Sequence, residues 1–469
     1  MSKFIKYLLI TATVCIPLSA EAKKCKKKVR SPQHKAKVVR LKKSTASASS
    51  ANSATQSRIS ALEAKMKKLE SDAILVSKKD LANGKLPKPL VSSGNPKSSV
   101  TVGGQINRIV AYRDNGKKSR LEHLDSTASS SRFNLTGTTH INPKFQVQAV
   151  VETELTDGVQ SFSSDVDIGS APVGSAFSNS SAILRNRRVE AVFKHEKFGT
   201  FYIGKGHTSS DGVSEVDFSG TAAVSNASEG GNNLGGFRFY NQTRKTSATQ
   251  RIASDAFRNM DGLQRANRIR YDSPSLGGLV LGFTHTNSDQ SDQSIKYAAN
   301  FGKTKVGAAV AHAYQPFSTS TNNSVTQSRR HHTYHGSFSI YNSGFSFSAA
   351  GGVEHYKIPP ATSAYSKQRL KRKDATFWFV KAGYQTKFIN CGNTAFAIDF
   401  GYSRANTLLE TDYYLANREK AKSYAFTIVQ NFDTAGAEVY FVAREYAFKQ
   451  PFASYKDAIV ILVGTRVKF

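Results

Sequence analysis

From Val100 to Phe469 apolar side chains alternate with small or polar ones at a period of two, for some 370 residues. Phe145, Val147, Ala149 and Val151 alternate with Gln146, Gln148, Val150 and Glu152. Thr394, Phe396, Ile398, Phe400 and Tyr402 alternate with Ala395, Ala397, Asp399, Gly401 and Ser403. At the end, Ile459, Ile461, Val463, Thr465, Val467 and Phe469 share one face, and Arg466 and Lys468 take the other. Runs of about ten alternating residues are the pattern of membrane-spanning strands. After the first twenty-odd positions no apolar run approaches the ~18 residues a spanning helix needs.

Sixteen strands are predicted, near 100–113, 130–140, 144–154, 185–194, 200–206, 264–272, 278–286, 293–301, 305–314, 332–341, 345–356, 375–387, 394–403, 421–431, 436–447 and 456–469. Their connections alternate in length. Asn142-Pro143, His195–Gly199, Ser273–Gly277, Gly302–Thr304, Asn342–Gly344, Phe388–Asn393 and Phe432–Ala435 are tight. Those at 114–129, 155–184, 207–263, 315–331, 357–374 and 404–420 are long, and those at 287–292 and 448–455 are the shortest of that set. One-sided asymmetry of this kind fits an even-numbered meander closed into a ring, with lipid outside, water inside and every backbone group paired. A soluble sandwich does not need it, and would require more than 39% hydrophobic residues to fill a core of this length. The fold class expected is therefore all-β, a 16-stranded antiparallel transmembrane β-barrel preceded by a short helical coiled-coil segment.

The N-terminal fifth is organised differently. Lys3 and Lys6, the apolar stretch Tyr7 to Leu18 and Ala20-Glu21-Ala22 form a secretory signal over 1–22. Residues 23–54 are basic and Ser/Ala-rich, and Lys23 to Lys43 carries eleven basic residues and no acidic one. Such a block is expected to be disordered. Export argues against nucleic acid as its partner and points to cell-wall carboxylates (peptidoglycan) or lipid phosphates. Thr55, Ile59, Leu62, Met66, Leu69, Ala73 and Val76 then recur at spacings of four and three, so 55–80 reads as a coiled-coil helix, or as a lone helix lying on a neighbour. Residues 81–99, with Pro87, Pro89, Gly94 and Pro96, form a linker. Net charge is +31; the first 99 residues hold an excess of 17 cations and the remainder an excess of 14. Only Cys25 and Cys391 follow the signal, so no disulfide scaffold is available, although the two could pair.

The stretches VGGQINRIVAY (102–112), SSRFNLTG (130–137), FGTFYIGKG (198–206), ANRIRYDSP (266–274) and the closing VGTRVKF are similar, in order and spacing, to the general Gram-negative trimeric outer-membrane porins. The helical prefix resembles the subgroup with an N-terminal periplasmic coiled-coil extension. The resemblance implies a homotrimer in the outer membrane, in contact with its lipids, with the extension in the periplasm. It also implies that the terminal aromatic is an assembly signal, and that the loop after the fifth strand, 207–263, folds inward as a constriction.

That loop carries Asp211, Glu215, Asp217 and Glu229 in its first half and Arg238, Arg244, Lys245, Arg251 and Arg258 in its second. A surface loop that binds nothing is the alternative. By strand parity Arg132, Arg188, Glu190, Arg268, Arg270, Lys296 and Lys381 face the lumen, since an arginine facing lipid near the midplane costs roughly 2–4 kcal/mol. Wall cations opposite loop carboxylates would make a transverse field. One charge at ~8 Å through water is worth about 0.5 kcal/mol, so four uncompensated arginines bias anions over cations roughly tenfold, less whatever the loop acids cancel. The function expected is a water-filled channel for passive diffusion of small hydrophilic solutes, anionic or polar, with mild to moderate anion preference. The alternative is an envelope-anchoring protein whose barrel is only an anchor and whose basic prefix binds cell wall or lipid phosphates. No enzymatic role, cofactor or metal is expected. Arg329-Arg330-His331-His332 with His335 lacks a carboxylate at matching spacing, and no Gly-x-Ser-x-Gly elbow occurs.

Overall fold

The computed structural model describes residues 90–92, 98–155, 184–228, 237–247, 253–322, 325–357, 374–404, 419–451 and 453–469. The signal segment 1–22, the basic block 23–54, the helix 55–80, most of the linker 81–99 and Cys25 lie outside the described residues.

The strands are β1 (Leu90–Ser92), β2 (Ser98–Asp114), β3 (Ser119–Asp125), β4 (Arg132–Asn142), β5 (Phe145–Leu155), β6 (Leu184–His195), β7 (Gly199–His207), β8 (Arg265–Asp272) and β9 (Leu279–Thr286). They continue as β10 (Ser291–Phe301), β11 (Thr304–Asn322), β12 (Val325–Asn342), β13 (Phe345–Lys357), β14 (Ala375–Ile389), β15 (Gly392–Arg404), β16 (Lys420–Phe432), β17 (Ala437–Lys449) and β18 (Ala458–Lys468). From β4 to β18 each strand pairs antiparallel with the next, and β18 closes on β2 from Ile459↔Asp114 to Lys468↔Gln105. The upper half of β2 pairs β3 and its lower half pairs β4, so those two are halves of one stave. With β1 only a short flank on Ser99–Thr101, the ring is a closed barrel of sixteen staves.

Alternation dictates the two faces. Val310, Ile398, Phe283 and Ile269 stand exposed on the outside, whereas Ser339, Ser423, Thr427 and Thr286 are buried within. Aromatic side chains gather at both ends of the outer surface. Trp378 and Phe400 (ring centroids 4.8 Å apart) adjoin Tyr424 towards the long-loop rim, and Phe345 and Tyr384 (4.7 Å) lie towards the short-turn rim. Trp378 and the exposed Phe388 near the short turn lie on one strand. Their spacing is ~33 Å along the strand, or about 25 Å across the membrane at a 40° tilt, the height of an apolar band. The turns are built locally. In the β6–β7 turn His195 Nδ1 accepts from the amides of Lys197 (3.1 Å) and Phe198 (3.3 Å), and Gly199 takes a φ of 82°.

Two connections differ from expectation. Residues 315–331, expected as a loop, continue β11 and β12 as a paired hairpin to Asn322↔Val325, because the Ser/Thr-rich sequence there still alternates well enough to pair. Residues 114–129, also expected as a loop, contain β3 and a serine-rich insertion, Ser126–Ser131, before the stave resumes. The insertion turns into the lumen, where Gln105 donates to Ser129 O (2.9 Å) and Asn107 Nδ2 to the same oxygen (2.8 Å). Hydroxyls and carbonyls here replace the ladder bonds that the break removes.

Candidate functional site

The described parts of the 207–263 connection lie against the inner wall, held by successive polar anchors. Asp292 of β10 accepts from the amide (3.2 Å) and hydroxyl (2.7 Å) of Ser209 and from the amide of Ser210 (3.2 Å). On β12, His335 bonds Ser214 (2.7 Å), Ser337 receives the amide of Val216 (3.0 Å) and Ser339 that of Phe218 (3.0 Å). Lys381 of β14 pairs with Asp217 (2.8 Å), and Asp399 of β15 accepts from Ser225 (2.7 Å) and from Arg444 of β17 (2.9 Å). Glycines in the wall make room: a Cβ on Gly307 would meet Val216 and Phe218, each at 2.9 Å, and one on Gly383 would meet Ser219 at 3.0 Å.

Beyond Ser225 an apolar seat joins polar anchors such as the amide of Gln242 on Ser454 O (2.7 Å) and the amide of Lys456 on Tyr240 O (3.1 Å). Phe237, Phe239 and Phe257, with the single helical turn α1 (Ala253–Ala256), cover Tyr446, Phe448, Val442, Val460, Leu462, Ile109 and Leu124 on the inner face of β17, β18, β2 and β3. Phe239 stacks on Phe448 at 5.3 Å, and Phe257 meets Tyr446 edge-on at 5.0 Å. Simple parity assigns this inner wall to water; it is instead an apolar seat for the loop.

A cluster of acids lies at the start of the loop. Asp211 accepts from His207 (2.6 Å) and shares a hydrogen bond with Asp261, whose other contact is the amide of Gly212 (2.9 Å). Glu215 accepts from Asn259 (2.8 Å). Burial, and then the charge of Asp211, push the Glu215 carboxyl up to about 7. Burial, with Glu215 and Asp211 nearby, holds Asp261 well above the carboxylate range. Burial would also raise Asp211, but the hydrogen bond and charge of His207, with Arg265, outweigh it and hold Asp211 low. Asp217 is likewise held low: Lys381 overcomes the effect of burial.

Basic groups populate the wall formed by β4, β6, β8 and β18. Arg188 (2.6 Å) and Arg268 share the carboxylate of Glu190, and Arg268 and Arg270 both lie over the ring of Tyr202. Arg270 is bidentate on Asp272 (2.7 and 2.8 Å). Arg132 is 3.9 Å from Glu152. Lys296 faces inward beside Asp292 and Ser294, within electrostatic range of Arg270 and Asp272. The arginines expected to be uncompensated are therefore mostly paired: Arg188, Arg268 and Arg270 each have a carboxylate in contact. Glu190 and Asp272 lie two positions along the same strand from Arg188 and Arg270, so parity alone puts each pair on one face; the contacts of Arg268 with Glu190 and of Arg132 with Glu152 cross between strands and follow from register.

Two basic groups escaped the sequence reading. Arg187 is the extra residue of a β-bulge between Glu152/Thr153 and β6, which turns it inward beside Arg188 to contact Glu152 (2.6 Å), Glu154 (3.4 Å) and Ser130 (3.2 Å). Arg265, at the junction of loop and β8, lies in electrostatic range of Arg187, Asp211, Glu152 and Glu154. Three arginines within the five residues Leu184–Arg188, namely Arg185, Arg187 and Arg188, were the available signal. His331 and His332 point to opposite faces: His331 lies 3.7 Å from Glu354 inside, and His332 hydrogen-bonds His312 (3.0 Å) outside. Among the described residues no group of three His, Cys, Asp or Glu is placed to hold a metal.

Comparison with solved structures finds the fold in a porin and weaker likenesses in other outer-membrane proteins. An anion-selective porin from Comamonas acidovorans superposes with a TM-score of 0.51 at 17% identity, covering 79% of this chain and all of that one. The outer-membrane channel DcaP of Acinetobacter baumannii gives 0.48 at 13% identity, covering 81% of this chain and 99% of that one. A loop-deleted OmpT, an outer membrane protein of Vibrio cholerae, gives 0.49 at 12%, covering 80% and 100%. No curated protein matches the chain. The Gram-negative porin family model matches residues 44–450, nearly the whole chain, and the protein belongs to that family of outer-membrane channels.

Proposed function

We propose that the channel passes small hydrophilic solutes by passive diffusion, with a mild preference for anions. The observation that carries this reading is the position of the loop: Ser209 to Ser225 hydrogen-bonded along the inner wall of β10–β15, with Arg132, Arg187 and Arg265 gathered near one another and Arg265 within electrostatic range of Asp211 at the start of the loop. The loop is then the constriction and carries Asp211, Glu215 and Asp217; Arg268 and Arg270 hold its base through the carbonyls of His207 and Thr208, and Arg132 and Arg188 line the adjoining wall. Pairing of the wall arginines lowers the expected selectivity below the tenfold that free arginines would give. The cluster Arg132, Arg187 and Arg265 meets only Glu152 and Glu154 on the wall, and leaves a net positive charge. One charge at ~8 Å in water biases permeation a little over twofold.

Reversal potentials of the purified protein in planar bilayers across a salt gradient test this. Permeability to chloride a few-fold above potassium is expected, and clear cation preference would refute the reading. The protein acts as a homotrimer in this proposal, with residues 23–80 on the periplasmic side, where β2 begins, and Lys23–Lys43 available to peptidoglycan or lipid phosphates. Pull-down of isolated cell wall with and without residues 23–43 tests that partner. The channel has no catalytic role in this reading, and a phospholipase assay giving turnover would contradict it.

A further inference from the structure

We propose that the outward face of β15–β17 at the long-loop rim binds the phosphate groups of a phosphorylated glycolipid of the outer leaflet, of the lipid A type. Three cations lie there in direct register: Arg404 is opposite Lys420, and Lys420 is opposite Lys449. Lys422 follows on the same face, one outward position below Lys420. All four are exposed, and Arg404, Lys420 and Lys449 make no ion pair among the described residues. Like charges directly opposite on adjacent strands repel, so a three-strand row of them is unfavourable unless an anion spans it.

Depth identifies the kind of anion. Immediately below the row, on the same strands and the same face, lie Tyr402, Phe400 and Tyr424, with Trp378 4.8 Å from Phe400. An aromatic band marks the boundary between hydrocarbon and headgroups, so the cations sit at headgroup level. Glu445 is the one outward carboxylate among the described residues of these three strands, and it lies below the row, opposite Tyr424. Neighbouring residues opposite one another in an antiparallel pair are about 5 Å apart, so the row spans roughly 10 Å, a reach suited to a headgroup bearing two phosphates rather than one. The proposal rests on the outer-membrane location and is independent of what the channel passes.

The test titrates the full-length protein in detergent with three lipids: bisphosphorylated lipid A, the same lipid with both phosphates removed, and phosphatidylglycerol. Native mass spectrometry counts bound lipid, and emission from Trp378, the single tryptophan, reports occupancy next to the row. Expected are binding of the bisphosphorylated lipid at least tenfold tighter than of either other lipid, and a loss of about fivefold per charge removed. The double variant K420Q/K449Q then loses about 25-fold, R404Q alone about fivefold, and K197Q, on the exposed turn at the opposite rim, nothing. Equal binding of the dephosphorylated lipid or of phosphatidylglycerol overturns the proposal. So does unchanged affinity in the double variant, or a double variant that loses trimers and binds lipid normally, which would make the row a protein contact.

Discussion

Lys381 Nζ stands 2.8 Å from Asp217 Oδ2 and 2.5 Å from the carbonyl oxygen of Ser225, with both charged side chains almost wholly buried. One wall cation thus holds two points of the inward loop eight residues apart. Replacing it by an apolar side chain leaves the Asp217 carboxylate buried without a counter-charge, a loss of ~3 kcal/mol. In Lys381→Met the loop should leave the wall for part of the time while the barrel stays closed. Single-channel recordings should show a noisier current and an altered mean conductance, with heat-modifiable mobility unchanged. A quiet, wild-type current would mean the loop is held mainly by its aromatic end.

Gly307 supplies the complementary test, from packing and not charge. Val216 and Phe218 lie where its Cβ would be, and both are loop residues. Gly307→Val keeps a good strand former on β11 but fills that seat, so it should displace the first half of the loop and change conductance as Lys381→Met does. Gly351→Val, where a Cβ would meet ordinary contacts, is the control.

Much of this was legible in the sequence because the lipid solvent enforces parity: wherever Ile269 and Tyr271 face oil, Arg268 and Arg270 must face water. Legibility failed where the ladder is irregular. The bulge at Arg187 breaks parity by one residue, and the Ser126–Ser131 insertion breaks one stave in two, neither of which alternation can encode. It also failed where the inner wall is apolar. Val460 and Leu462 read as the inward face of a strand, yet nothing in β18 says that Phe237, Phe239 and Phe257 come from some 200 residues earlier to cover them. Ion partners were the third loss. That Glu190 serves both Arg188 and Arg268 follows from the register of three strands, which the sequence of any one does not contain.

Glu215 makes selectivity depend on pH. Its carboxyl is pushed up to about 7 by burial and then by Asp211, so it ionises near neutrality, while Asp211, held low, stays charged throughout. As pH falls from 8 to 6 the loop loses about one negative charge, and anion preference should rise about twofold. The folded state holds this proton more tightly than an unfolded glutamate near 4.5, so the proton stabilises the docked loop fully below pH 4.5, and that contribution is lost as pH rises through about 7. Reversal potentials measured from pH 5 to 8 should show the step, and Glu215→Gln should remove it. A step that survives in Glu215→Gln would assign it to Asp261 instead.

The pair Arg188 and Arg268 should behave non-additively. Glu190 takes Arg188 Nε at 2.6 Å on one oxygen and Arg268 on the other, and its side chain is 1% exposed. Arg188→Ala or Arg268→Ala alone removes one positive charge from the wall but leaves Glu190 paired. Each should shift selectivity towards cations about twofold with little effect on thermal stability. The double variant leaves a buried carboxylate with no cation, costing ~3 kcal/mol beyond the two single effects. Thermal unfolding of the four proteins in one detergent measures that coupling. Stabilities that simply add would mean that water reaches Glu190 and solvates it, and that the two arginines act on permeating ions independently.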